Sequence, residues 1–244
     1  MASEDVLNIV EVRDERDPLA VEALELVQEM FAPEDRQSTR ALLSEITESR
    51  MELLEGDGFH LITALDENGR PMGTVIGVYL MAVNAGFILY LAVRPEYRSR
   101  ELARTLRRAL TAAFRSDARR NGRDELAWVV GEVEAESAWL RRLVRERDAI
   151  PFDLTYYHPG MSPGSGDKEY ILYRQPVGDP RAELPAKLVR QIIYDVYRRA
   201  YRVSYPLVHP GFAAMIEELE GRDMVGSHRR AAEWAHTETQ RHRD

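Results

Sequence analysis

Apolar positions along the chain fall into alternating and helical periods that mark out its elements. Leu7 to Arg13 alternates as a first strand, and Asp17-Pro18 opens an amphipathic run in which Ala20, Leu24, Leu26, Val27 and Phe31 recur at helical spacings until Pro33 stops it. Ser38 or Thr39 can cap a second helix carrying Leu42, Leu43, Ile46 and Met51, which ends at Gly56-Asp57-Gly58. Strands follow in series. Phe59 to Leu65 and Met72 to Val83 flank Asn68-Gly69, a two-residue hairpin signal, and Asn84-Ala85-Gly86 turns the chain into Phe87 to Val93. These three strands predict an antiparallel meander.

Pro95 ends the last of them, after which Leu102, Leu106, Leu110, Ala113 and Phe114 repeat at helical spacing up to Asn121-Gly122. Leu126 to Val133 predicts a buried strand, Ser137 to Arg147 a helix, and Phe152 to His158 and Glu169 to Arg174 two strands joined across Gly160 to Asp167. Strands alternate with helices only in this second half, which predicts a mixed α/β sheet. Val177 to Pro185 reads as a linker. Beyond it Leu188, Ile192, Val196, Ala200 and Val203 line one face of a helix running to about Ser204, and Pro206 and Pro210 break it. Gly211 to Leu219 and Arg229 to His242 predict further helices, so the tail is expected to pack on the main body or to form a homodimer contact.

A chain of 244 residues, 44% hydrophobic, can bury a large core, which excludes whole-chain disorder. No window holds the roughly eighteen apolar residues of a membrane helix, and the acidic start is unlike a signal peptide, so a cytoplasmic protein with no membrane partner is expected. With no cysteine, chemistry must use oxygen, nitrogen or a bound group. The net charge of −8 is uneven. Residues 1–66 hold 17 acidic residues against five arginines, whereas residues 94–123 hold ten arginines, enough to host a polyanionic ligand. The strongly acidic remainder argues against a nucleic-acid partner. The six histidines show no paired metal-ligand spacing, so no metal is expected.

The stretch from Leu91-Ala92-Val93 through Arg94-Pro95-Glu96-Tyr97-Arg98-Ser99-Arg100 to Glu101-Leu102-Ala103-Arg104 is a strand turning straight into a helix. The first N–H groups of a helix lack internal partners and lie at the positive end of its dipole, so phosphate oxygens can dock there with arginine support. The segment also resembles the acyl-CoA-binding motif of the GNAT acyltransferase superfamily, V-x-P-x-x-[QR]-x-x-G-x-[GA], with Val93, Pro95, Arg98 and Ala103 in register. The resemblance implies a mostly antiparallel central sheet flanked by helices over residues 1–176, with a helical extension over 177–244. It implies acetyl-CoA as co-substrate: the strand through Leu91, Ala92 and Val93 would bind the pantetheine, and Arg98 to Arg104 would cradle the pyrophosphate. Glu101 stands where the motif has a glycine.

Amine acylation needs a base for the acceptor and a proton for the leaving thiolate. Histone-acetylating members of the superfamily carry a glutamate base six residues before the motif valine, where this chain has Phe87, and many members carry a helical tyrosine acid where it has Leu140-Arg141. Glu132 and Glu134, alternate residues at the end of a strand, are the candidate bases, although Glu134 could instead favour the following helix N-terminus. Tyr156 and Tyr157 point to opposite faces of their strand, so one of them can supply the acid. Tyr90 reads as core, and His158 as a surface histidine. The expected function is N-acyl transfer, acetyl from acetyl-CoA, to a primary amine of a small molecule or protein. The alternative is a GNAT-fold binding or regulatory protein without catalysis.

Overall fold

The computed structural model describes residues 7–98, 100–161 and 166–236. β1 (Asn8–Val12), α1 (Pro18–Met30) and α2 (Thr39–Arg50) precede the meander β2 (Gly58–Leu65), β3 (Pro71–Leu80) and β4 (Ala85–Val93). Then come α3 (Arg100–Arg120), β5 (Trp128–Val133), α4 (Ala138–Arg145), β6 (Ile150–Pro151), β7 (Tyr156–His158) and β8 (Lys168–Pro176). The caps are those the sequence announces: Asp17 accepts from the Leu19 N–H with Pro18 in the first turn, and Ser38 accepts from the Ala41 N–H. The strands form one sheet in the order β1-β2-β3-β4-β5-β8-β6, with β7 also on β8. Among the described residues only β4 and β5 run parallel, and every other neighbouring pair in this sheet is antiparallel.

One face of the sheet is covered by α3, whose Leu102, Leu106, Leu110 and Phe114 pack on Val75, Tyr79 and Val129. Gly86 makes this approach possible: a Cβ there would come within 1.9 Å of the Phe114 ring. The other face is covered by α1, α2 and the C-terminal extension through β9 (Leu184–Pro185), α5 (Ala186–Asp195), α6 (Pro210–Glu218) and β10 (Met224–Val225), whereas α7 (Ala231–His236) packs its Trp234 with Leu140 and Leu143 of α4. Val189, Ile192, Ile193, Val196 and Tyr197 of the extension are fully buried in the core that also contains Leu61, Val78, Phe87 and Val130. Burial of such side chains is worth about 2 kcal/mol each. The predicted apolar stripe therefore packs against the main body.

Several elements differ from the sequence reading. The span Met72 to Val83 stops as a strand at Leu80, because Met81–Val83 forms a 3-10 turn closed by Asn84 in the left-handed region at φ 51°. The Asn68-Gly69 connection is longer than two residues, since the Asp66 side chain accepts from the Asn68 and Arg70 N–H groups. Phe152 to His158 is not continuous: β6 and β7 each pair separately with β8, and Phe152 bridges to Ser227 of the extension. The long tail helix ends earlier, α5 passing into a π-helical turn at Val196–Ala200. The segment predicted as linker contains β9, which pairs with β10. The last predicted helix is described only over α7, and its end, with His242, lies outside the described residues.

Candidate active site

The parallel contact of β4 with β5 covers only Ala85↔Trp128, Gly86↔Val129 and Phe87↔Val130. Beyond Phe87 the two strands part. A bulge falls at the same place, because Ile76 of β3 opposes Tyr90 while Gly77 opposes Ile88, leaving Leu89 as the extra residue. The gap holds a cleft of about 300 Å³ lined by β4 from Ile88 to Leu91, by Glu132 and Val133 of β5, and by Phe31, Arg107, Trp139 and Tyr173. Arg107 stacks over the Trp139 ring at 4.7 Å, with Arg142 on the same ring at 4.4 Å.

Glu132 is the carboxylate of this cleft, and its side chain is only 6% exposed. His158 Nδ1 donates to Glu132 Oε1 at 2.5 Å, and the Tyr201 hydroxyl donates to the same oxygen at 2.8 Å. By geometry Glu132 Oε2, His158 Nε2 and the Tyr156 hydroxyl are buried without a hydrogen bond among the described residues, although the Tyr156 hydroxyl lies close enough to the Glu132 carboxylate to interact with it. Burial disfavours a charged His158, but the Glu132 carboxylate outweighs it and raises the imidazole pKa above its usual value. Burial, reinforced by the Glu132 charge, pushes the Tyr156 and Tyr201 hydroxyls well above theirs, so both remain protonated donors. An oxygen left unpaired in such surroundings is costly.

At the other end of β4, the 3-10 turn Pro95–Tyr97 leads through Arg98 to the first turn of α3, and Arg98 is exposed there. Ser99 lies outside the described residues. Glu101 is 62% exposed and turns along the helix toward Arg104 at 3.5 Å and Arg108 at 3.8 Å. The carboxylate that replaces the motif glycine is thus partnered on the outer face of α3. Arg94 is occupied elsewhere, bonding the Pro71 carbonyl and Glu29.

Residues 21–136 match the model of the Acetyltransferase (GNAT) family, and this span contains β4, α3 and the splayed β5. Over this span the chain matches a GNAT acetyltransferase domain. A GNAT-family protein from Bacteroides thetaiotaomicron is similar in structure at a TM-score of 0.55 with 16% identity, covering 80% of this chain and 99% of that one. A protein from Acinetobacter baylyi assigned as an acetyltransferase is similar at a TM-score of 0.51 with 16% identity, covering 72% and 95%. At that identity the likeness bears on the fold alone, and it is the mixed, mostly antiparallel sheet that the motif implied. No curated protein sequence matches the chain. The class expected from the motif, an acyl-CoA-dependent N-acyltransferase, is that of the GNAT family.

The structure separates the sequence-derived site residues. Leu91 lines the cleft, Ala92 is buried against the sheet core, and Val93 packs toward α3, with Leu102 buried beneath the cradle. Ala103 is half-buried, Arg104 is exposed beside Glu101, and Arg100 is described only as the start of α3. Glu132 reaches the cleft, whereas Glu134 lies beyond the end of β5 and is exposed. Tyr156 is fully buried beside Glu132 but does not line the cleft, and Tyr157 faces the extension, its carbonyl accepting from the Tyr197 hydroxyl and its N–H meeting Met215. His158 is no surface residue, being 3% exposed against Glu132. Sequence reasoning had no means of finding Tyr201: it follows a helical stretch whose pattern showed only an apolar stripe. Among the described residues no group of three or more His, Asp or Glu could hold a metal ion, and no helix is long and apolar enough to cross a membrane.

Proposed function

We propose that the protein transfers the acetyl group of acetyl-CoA to a primary amine, with Glu132 as the base that frees the amine. The observation that carries this reading is Glu132 Oε2, a buried carboxylate oxygen without a hydrogen bond among the described residues, on the side chain that lines the cleft between β4 and β5. The residues fit a pantetheine arm. Beyond Phe87 the edge of β4 that faced β5 has no strand partner, so its backbone groups are available to an extended ligand, and the α3 N-terminus with Arg98 suits its phosphates.

Acetyl-CoA supplies the activated thioester. Glu132 Oε2 accepts a proton from the acceptor ammonium, and the nitrogen lone pair so freed can attack the carbonyl carbon. The C–N bond forms as the C–S bond breaks with its electron pair on sulfur. The nitrogen loses a second proton as the thiolate gains one, leaving an amide, a thiol and the proton on Glu132, which returns to solvent.

Acetyl-CoA consumption with a panel of spermidine, tryptamine and an alanine-terminated peptide tests the reading. Amine-dependent release of CoA supports it. Acetyl-CoA binding with no turnover of any amine would favour a GNAT domain that only binds.

A further inference from the structure

We propose that Tyr201, contributed by the C-terminal extension, is a positioning residue of the acyl-transfer site: its hydroxyl and His158 together hold Glu132 Oε1 so that Oε2 is the oxygen left for the acceptor. The inference rests on Glu132 being the base, and it extends the active site beyond residues 21–136, the span of the GNAT family match.

Three features of the extension converge on this one hydroxyl. The first is the π-helical turn at Val196–Ala200, immediately before Tyr201, where the Tyr201 N–H reaches back to the Val196 carbonyl and the Val203 N–H to that of Tyr197. Such widened turns are uncommon and concentrate at functional sites. The second is Arg202, held at φ 58° in the left-handed region that favours glycine. A side chain with a Cβ in that conformation persists where its surroundings over-determine it. Here they do, since the Arg202 guanidinium binds both Glu45 and Glu48 of α2. The third is the bracing on the other side. Gln37 donates its side-chain amide to the Ala200 carbonyl at 2.7 Å and its backbone N–H to the Tyr90 hydroxyl at 2.9 Å, and Arg199 pairs with Asp57 at 2.5 Å.

Tyr201 is thereby fixed from α2, from the α2–β2 connection and from the α1–α2 connection. Its ring packs edge-on against His158, at 4.7 Å between centroids, and against Phe87, at 5.8 Å, at the point where β4 and β5 begin to part. Packing alone would be served equally by phenylalanine. The hydroxyl is buried, and its bond to Glu132 is what the tyrosine adds. Two donors on Oε1 leave the carboxylate with one orientation and one unsatisfied oxygen, which is what a base acting on a bound ammonium needs.

The test compares wild type, Tyr201→Phe and Glu132→Gln, each full-length, using acetyl-CoA with the same three amines, and follows the His158 ring by NMR titration. Tyr201→Phe removes one oxygen atom and keeps the ring, so melting should stay near wild type. Its kcat should fall about tenfold, with KM for acetyl-CoA within about twofold. Its kcat profile against pH should differ from that of wild type, because Glu132 Oε1 has lost one of its two donors. For the same reason the His158 pKa should rise further. Unchanged kcat, pH profile and His158 titration in Tyr201→Phe would overturn the proposal while leaving Glu132 as base. Full activity in Glu132→Gln would instead remove the base reading on which the proposal rests. If none of the three amines is acetylated, the His158 titration decides alone: a rise supports the Tyr201 role and no change refutes it.

Discussion

Two buried histidines bridge to carboxylates in this protein, and they differ in what is left unpaired. His60 on β2 bonds Glu11 at 2.6 Å through Nδ1 and Asp117 at 2.7 Å through Nε2, and both carboxylates are bound in turn by arginines, Arg13 and Arg120. Burial opposes its charge, yet the two carboxylates raise its pKa to about 9, so it is a cation at neutral pH. His158 uses one nitrogen only, and it leaves its own Nε2, Glu132 Oε2 and the Tyr156 hydroxyl without hydrogen bonds among the described residues. The closed cluster ties β1, β2 and α3 together and is complete without a ligand. The open one reaches the gap between β4 and β5 through Glu132. Unequal satisfaction separates a cluster that is complete in itself from one that leaves hydrogen-bonding groups for a further partner.

That contrast predicts opposite phenotypes. Glu132→Gln should lower kcat by roughly 10²- to 10⁴-fold, the usual contribution of a positioned base, while the melting temperature changes little; a loss of folding with normal turnover per folded molecule would reverse the assignment. His60→Asn should do the converse, costing on the order of 3 kcal/mol in a denaturant titration, since the imidazole pKa is raised from 6.5 to about 9. The pH dependence has a definite sign. A raised pKa means that the His60 contribution is complete below pH 6.5 and is lost as the pH climbs through 9, whereas Glu11, held near 2, contributes above pH 4.5 and ceases to do so as the pH falls through 2. His60→Asn should therefore flatten the alkaline side of the stability profile. At the cradle, Arg98→Ala should weaken acetyl-CoA by about tenfold in calorimetry, as expected for one charge-assisted contact to phosphate. Glu101→Gly should change the same affinity by less than about twofold, because Glu101 already pairs outward with Arg104 and Arg108 on the solvent side. A marked tightening would mean that the carboxylate reaches the phosphates.

The periodic parts of the chain were legible because burial imposes their period. The α3 stripe through Leu102, Leu106, Leu110 and Phe114, the β2–β4 meander and the motif junction could all be read from local pattern. Glu132 was legible for a different reason, being a carboxylate at the end of a strand whose other residues are apolar. What failed depended on contacts far apart in sequence. His158 looked like a loop histidine because nothing local reveals a partner 26 residues away, and Tyr201 lies 69 residues from Glu132. Glu134 shares the spacing of Glu132 but falls beyond the last paired residue of β5, so alternation no longer governs where it points. The break between β6 and β7 is likewise set by the extension, through the Phe152 bridge to Ser227.

The central claim, that the open cluster and not the closed one moves the acceptor's proton, is tested most directly by the pH profile of kcat at saturating acetyl-CoA. Wild type and His60→Asn should share one acidic limb, and Glu132→Gln should lose it along with most of its rate. If the limb survives in Glu132→Gln, or disappears in His60→Asn at a pH where that variant is folded, Glu132 is not the base and the assignment of the two clusters is wrong.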